Sequence, residues 1–207
     1  EDKSTTNLHF FTSHFYSALS KSGPESVASW TAKKNINIFK KKFIFIPINK
    51  DLHWSLCVVV NPGCIKNSYE ADLDTKSKLD VPCLIFMDSL RMHKKSTIRK
   101  KVENWLNSEW CRIHPEDDIL KPFTNQKFEL FSPKGKCATC GMESSQNSCN
   151  LTILFSGRRC KTVPMQNNTW DCGVFVCRYA LAIFKLRNRA FTFRDVHDDS
   201  PFSRLVT

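Results

Sequence analysis

The sequence predicts an α+β fold, with helices before, between and after a small set of strands. Three apolar, branched or aromatic runs, FIFIPI (43–48), HWSLCVVVN (53–61) and CLIFMD (83–88), read as buried strands. Apolar residues at helical spacing precede them (8–19), follow them (96–110) and return after residue 172. With 207 residues, 41% of them hydrophobic and 16 of them Phe, the chain can bury one substantial core.

In chain order, LHFFTSHFYSAL (8–19) is expected to be a helix, closed by the break at SGP (22–24). ESVASWTAKK then reads as a short helix with Pro24 near its start, where a missing N–H costs nothing. The strand at 53–61 is stopped by Asn61-Pro62-Gly63, and the polar stretch 64–80 reads as a loop. The strand at 83–88 ends in an acid, and STIRKKVENWLNSEW (96–110) puts Ile98, Val102, Trp105 and Leu106 on one helical face. From 111 to about 160 the periodicity fails among Pro, Ser, Lys and Cys, and the stretch reads as a long insertion or surface loop. The domain expectation is therefore one unit, 1–207, carrying an insertion at about 111–160.

The formal charge of +11 favours acidic partners, although the lysines are scattered rather than gathered in one stripe. No RNA-binding signature or two-Cys, two-His finger accompanies them, so nucleic acid is not the expected partner. No apolar run approaches a membrane span, and EDKSTTNLHFF lacks a signal peptide's charged-then-apolar order. Cys57, Cys83 and Cys177 fall in apolar stretches, where free cysteine acts as a small hydrophobe. Together these features predict a soluble chain in a reducing cytosolic or nuclear setting.

Near the end, QNNTWDCGVFVCRYALAIFKLR (166–187) passes from turn formers into a helical pattern, with Cys172 at or just inside the helix start. The unpaired amides and the positive dipole end at such a place favour a thiolate. His53, opening a strand, is a candidate base, and Asp88, ending the next, is a candidate orienter of its ring. Gln166 stands in the loop before the cysteine, where its amide could donate to an oxyanion. Nucleophile, base, orienter and oxyanion donor make a complete set for acyl transfer.

HWSLCVVV, then IFMDSL, then VPMQNNTWDCGVFVCRYA resemble, in that order, the catalytic blocks of the Ulp/SENP family of SUMO-specific cysteine proteases. The likeness covers about 1–60, 82–110 and 161–207, and the stretches between are longer than in compact members. The resemblance implies a papain-like fold, a central mixed sheet flanked by helices with the nucleophile at the start of a central helix. It implies Cys172 as nucleophile, His53 as base, Asp88 as its orienter and Gln166 as oxyanion donor. Trp54 matches the family's aromatic lid over a Gly-Gly tail, and Asp171 and Gly173, flanking the nucleophile, are expected to meet substrate. The family's upstream segment, with its Trp-Leu-Asn-Asp-like motif, has no counterpart in this sequence. Position 165 is Met where the family commonly has Gln.

Cleavage after the C-terminal Gly-Gly of SUMO is the function so implied, as deconjugation, chain editing or precursor processing. SUMO or SUMO-conjugated proteins would be the partners, with a monomeric, nuclear enzyme and no membrane association. Two alternatives are the same chemistry on ubiquitin or another ubiquitin-like modifier, and a SUMO-binding pseudoprotease. No cofactor is expected. Cys137 and Cys140 have the spacing of a zinc ligand pair, but Cys149 and Cys160 do not complete it, so an exposed, oxidation-sensitive loop without a metal is expected.

Overall fold

A computed structural model describes residues 7–66, 80–118, 121–124, 128–132, 134–136, 162–188 and 191. Its centre is a five-stranded mixed sheet in the order β1-β2-β3-β4-β5. The strands are β1 (Leu8–Phe10), β2 (Phe43–Lys50), β3 (His53–Val60), β4 (Cys83–Met87) and β5 (Glu129–Phe131). The helices are α1 (Ser13–Ser22), α2 (Ala28–Ala32), α3 (Lys95–Ile113) and α4 (Cys172–Phe184). A separate two-stranded pair joins β6 (Lys134–Lys136) to β7 (Thr162–Pro164).

Both faces of the sheet are buried, which is why its strands read as nearly unbroken apolar runs. Ile44, Ile46, Cys57, Val59, Leu84 and Phe86 point to one face, where they meet Phe15 and Leu19 of α1 and Val102, Trp105 and Leu106 of α3. Their alternates Phe43, Phe45, Leu56, Val58, Ile85 and Met87 point to the other, against Val176, Tyr179 and Ile183 of α4. The sheet is thus held between two helical layers. Pro47 is accommodated because β1 pairs with β2 only at Phe43, Ile44 and Phe45, so Pro47 lies beyond that ladder.

Residues 8–10 are not helical as expected: Leu8 pairs in parallel with Phe43, and the Phe11 N–H continues to Phe45 O at 2.9 Å. Helix α1 starts only at Ser13, one residue after its Thr12 N-cap. The 24–34 stretch divides into a 3₁₀ turn, Pro24–Val27, and the short α2.

The larger correction concerns the insertion expected from residue 111. Helix α3 runs through to Ile113, Phe123 and Phe128 are buried in the core, and β5 pairs in parallel with β4. Arg99 of α3 fixes this segment, donating to the Phe128 carbonyl at 2.5 Å and to Glu103 Oε1 at 2.7 Å. The described residues between 111 and 136 thus include a helix end, buried core positions and two strands as well as exposed loop. Residues 137–161, with Cys137, Cys140, Cys149 and Cys160, lie outside the described residues, as do 67–79 of the expected 64–80 loop. Of the cysteines assigned to apolar stretches, Cys57 and Cys83 are buried, whereas Cys177 is exposed on α4.

Candidate active site

The site is assembled from three connections. The first is the hairpin between β2 and β3, which turns through Asp51 and Leu52, both left-handed with φ of 53° and 59°. A two-residue loop with positive φ at both positions suits the twist of a tight hairpin. The Lys50–His53 pair closes it, and His53 opens β3 with 1% of its surface exposed.

The second is the β4–α3 connection. Asp88 follows β4 directly, and its Oδ1 lies 2.6 Å from His53 Nε2. The same oxygen accepts from the N–H groups of Leu90 (3.0 Å) and Arg91 (2.8 Å), while Oδ2 accepts from His93 N–H at 2.9 Å. Burial pushes the Asp88 carboxyl up, but the hydrogen bonds from the His53 ring and the His93 and Leu90 amides outweigh it and hold the group below its ordinary 3.8. A carboxylate only accepts, so the His53 proton sits on Nε2 and the lone pair on Nδ1. His53 Nδ1 is itself buried, with no hydrogen-bond partner among the described residues.

The third is the loop before α4. Asn168 Oδ1 accepts from Trp170 N–H (3.2 Å) and Asp171 N–H (3.0 Å), and its Nδ2 donates to Asp171 Oδ2 at 2.7 Å. Asp171 occupies the N-cap position without a side-chain cap bond, and its main-chain oxygen accepts from Phe175 N–H. Cys172 is therefore the first residue of α4, and the amides of residues 172–174 precede the first helical hydrogen bond. Gln166 is buried, with Oε1 on Ser89 Oγ at 2.5 Å and Nε2 donating to Asn168 O at 2.7 Å.

All seven residues singled out in the sequence fall on these connections. His53 and Asp88 are joined directly, and Gln166 is joined to Ser89, the neighbour of Asp88. Trp54, half-buried, meets Gly173: a Cβ built on Gly173 would stand 4.0 Å from Trp54 Cδ1. The residue after the imidazole thus stands beside the residue after the thiol, with a gap between them. Asp171 serves the loop through Asn168, and nothing among the described residues lies close enough to Gly173 to require a glycine.

The sequence carries no signal for Ser55 and His93, while Asn168 is legible only as one of the turn formers before the helix and Ser89 only as the residue after the acid that ends β4. His93 Nε2 donates to the Lys50 carbonyl (2.9 Å), its Nδ1 accepts from Ser55 Oγ (2.8 Å), and its ring centre lies 4.9 Å from that of His53. His93 therefore ties the hairpin to the Asp88 connection. Ligand atoms of His53, Asp88 and His93 lie within 4.8 Å of one another. Both His93 nitrogens, His53 Nε2 and both Asp88 oxygens are engaged in hydrogen bonds within this cluster.

A thiol heading a helix, on a sheet whose strand ends hold a buried imidazole–carboxylate pair, defines a thiol-protease scaffold of the papain-like kind. The chain belongs to the Ulp1 protease family: the model of its C-terminal catalytic domain matches residues 1–131 and 139–200. Probable ubiquitin-like-specific protease 2B of Arabidopsis thaliana is 31% identical over 186 residues, which cover 83% of this chain and 16% of that protein. Human sentrin-specific protease 7 is 24% identical over 244 residues, covering 89% of this chain and 20% of the other. The chain thus spans under a third of either relative's length. The fold is also that of a de-sumoylating protease (TM-score 0.56, 21% identity, covering 89% of this chain and 53% of the other). The C-terminal Ulp1 protease domain, solved in complex with Smt3, the yeast ortholog of SUMO, shares it too (TM-score 0.51, 22% identity, covering 96% and 64%).

Proposed function

We propose that this domain is a cysteine isopeptidase that cleaves after the C-terminal Gly-Gly of SUMO. The observation that carries the reading is the buried His53 ring: Nε2 is committed to Asp88, and Nδ1 is left without a partner among the described residues. A buried lone pair without a partner costs stability, and beside a buried carboxylate that fixes the tautomer it is retained as the acceptor of a reaction proton.

In the proposed reaction His53 Nδ1 takes the proton of Cys172 Sγ, and sulfur attacks the carbonyl carbon of the terminal glycine. The carbonyl π electrons move to oxygen, and the Cys172 amide and Gln166 Nε2–H stabilise that charge. When the oxyanion collapses, the C–N bond breaks and His53 passes its proton to the departing lysine amine. The remaining thioester is hydrolysed by a water that His53 deprotonates, with sulfur leaving and the modifier released as a carboxylate. Asp88 holds the ring in the tautomer this exchange needs. Trp54 beside the bare Gly173 leaves space suited to a substrate backbone without side chains, such as Gly-Gly.

SUMO is favoured over other modifiers by the names of the relatives and by the basic chain, with its charge of +11, which suits an acidic modifier. A monomeric, nuclear enzyme belongs to the same reading. Fluorogenic C-terminal conjugates of SUMO, ubiquitin and other ubiquitin-like proteins test it, with turnover expected on SUMO. Cys172→Ser should abolish that turnover and keep modifier binding, and a SUMO electrophile should label Cys172 of the wild type. Wild-type rates in Cys172→Ser would overturn the mechanism, and preference for ubiquitin would overturn the substrate.

A further inference from the structure

We propose that Ser89 is a positioning residue for the oxyanion donor, acting through the Gln166 side chain; this rests on the role given to Gln166 above. Ser89 is 1% exposed, and its Oγ lies 2.5 Å from Gln166 Oε1. It is not a helix cap, because α3 starts at Lys95 and its N-cap is Lys94.

A glutamine amide has two nearly isosteric orientations that exchange oxygen and nitrogen. Only one presents an N–H to a developing oxyanion; the other presents a carbonyl oxygen that repels it. The main-chain oxygen of Asn168, which can only accept, lies 2.7 Å from Nε2 and therefore requires the NH₂ group on its side. Oε1 is then turned towards Ser89, whose hydroxyl donates to it. The two contacts fix the amide from opposite ends. Nε2 keeps a second N–H, and that hydrogen is the one available to substrate.

Ser89 also follows Asp88 directly, so consecutive residues serve the two halves of the reaction. Asp88 holds the base, and Ser89 holds the donor. The arrangement joins segments 77 residues apart through one buried hydroxyl. Without that hydroxyl, Oε1 loses its partner and the amide is held only by Asn168.

The test measures single-turnover cleavage of a SUMO–fluorophore conjugate, modifier affinity in a Cys172→Ala background, and the pH dependence of kcat/KM. Ser89→Ala and the nearly isosteric but weakly donating Ser89→Cys are each placed in the wild type and in Gln166→Ala. Each should slow the chemical step about tenfold or more, a part of what loss of one oxyanion donor costs. Affinity and the shape of the pH profile should stay as in the wild type, since the His53–Asp88 pair is untouched. In Gln166→Ala, neither substitution should slow the reaction further. An equal loss in both backgrounds, or a wild-type rate in the Ser89 variants, overturns the inference. An unchanged rate in Gln166→Ala alone would instead remove Gln166 from the site and the present inference with it, leaving the Cys172–His53 chemistry to its own test.

Discussion

Asp88 accepts four hydrogen bonds, and its substitution by Asn cannot satisfy them all. If the amide oxygen faces His53, the NH₂ group meets the His93 N–H, donor against donor; if the amide turns, it forces the wrong His53 tautomer. Asp88→Asn should lower kcat by roughly 10³ or more while leaving modifier affinity largely intact. Stability gives a second readout. Because the folded carboxyl titrates below its ordinary 3.8, it stabilises the fold fully above that value, where both states are ionised. As pH falls through that value and then the lower folded one, the unfolded chain takes up the proton first and the advantage disappears. Urea unfolding should therefore show wild type ahead of Asp88→Asn at pH 7, with the gap narrowing below about pH 4. A gap that widened on acidification would show that Asp88 is not held as an anion.

The β2–β3 hairpin carries a local conflict of the kind sequences resolve with glycine. Asp51 and Leu52 both adopt positive φ, and Leu52 is 99% exposed, so no burial offsets its strain. Replacing the pair by Asn-Gly should stabilise the fold by about 1 kcal/mol, raising Tm by about 2–4 °C. A lower Tm on calorimetry would mean that Leu52 makes contacts which hold the hairpin. Elements were legible in the sequence where their signal was local. The strands at 43–50 and 53–60 showed as apolar runs, and α4 showed as turn formers followed by helical spacing. Residues 8–10 were misread because their apolar spacing continues smoothly into α1, and the partner that makes them a strand, β2, lies 35 residues on. Phe123 and Phe128 lie in short apolar clusters broken by Pro122 and by polar residues, with no sustained period. Their burial comes from distant partners: Phe123 packs on Phe39 and on Trp110 of α3, and Phe128 on Phe123. The site divides likewise: Cys172, His53, Asp88 and Gln166 stand in recognisable blocks, whereas Ser89 and His93 acquire their roles from partners 77 and 38 residues away.

For the whole molecule, charge is the property that acts beyond contact distance. With a net +11, the chain should attract an acidic modifier at rates that fall as salt is raised. Between low salt and 0.5 M, kcat/KM on a SUMO conjugate should drop roughly tenfold, and that on an uncharged C-terminal peptide much less. Equal salt responses would show that the charge does not steer this substrate. The placement of α4 bears on the birth of the chain as well. Its residues cover one face of the sheet and carry the thiol, yet they are translated after every strand of that sheet. On a ribosome, His53 and Asp88 can meet on the order of 10 s before Cys172 is made. The nascent domain therefore lacks its nucleophile while one face of its sheet is still bare, and the helix that covers that face is the one that arms it.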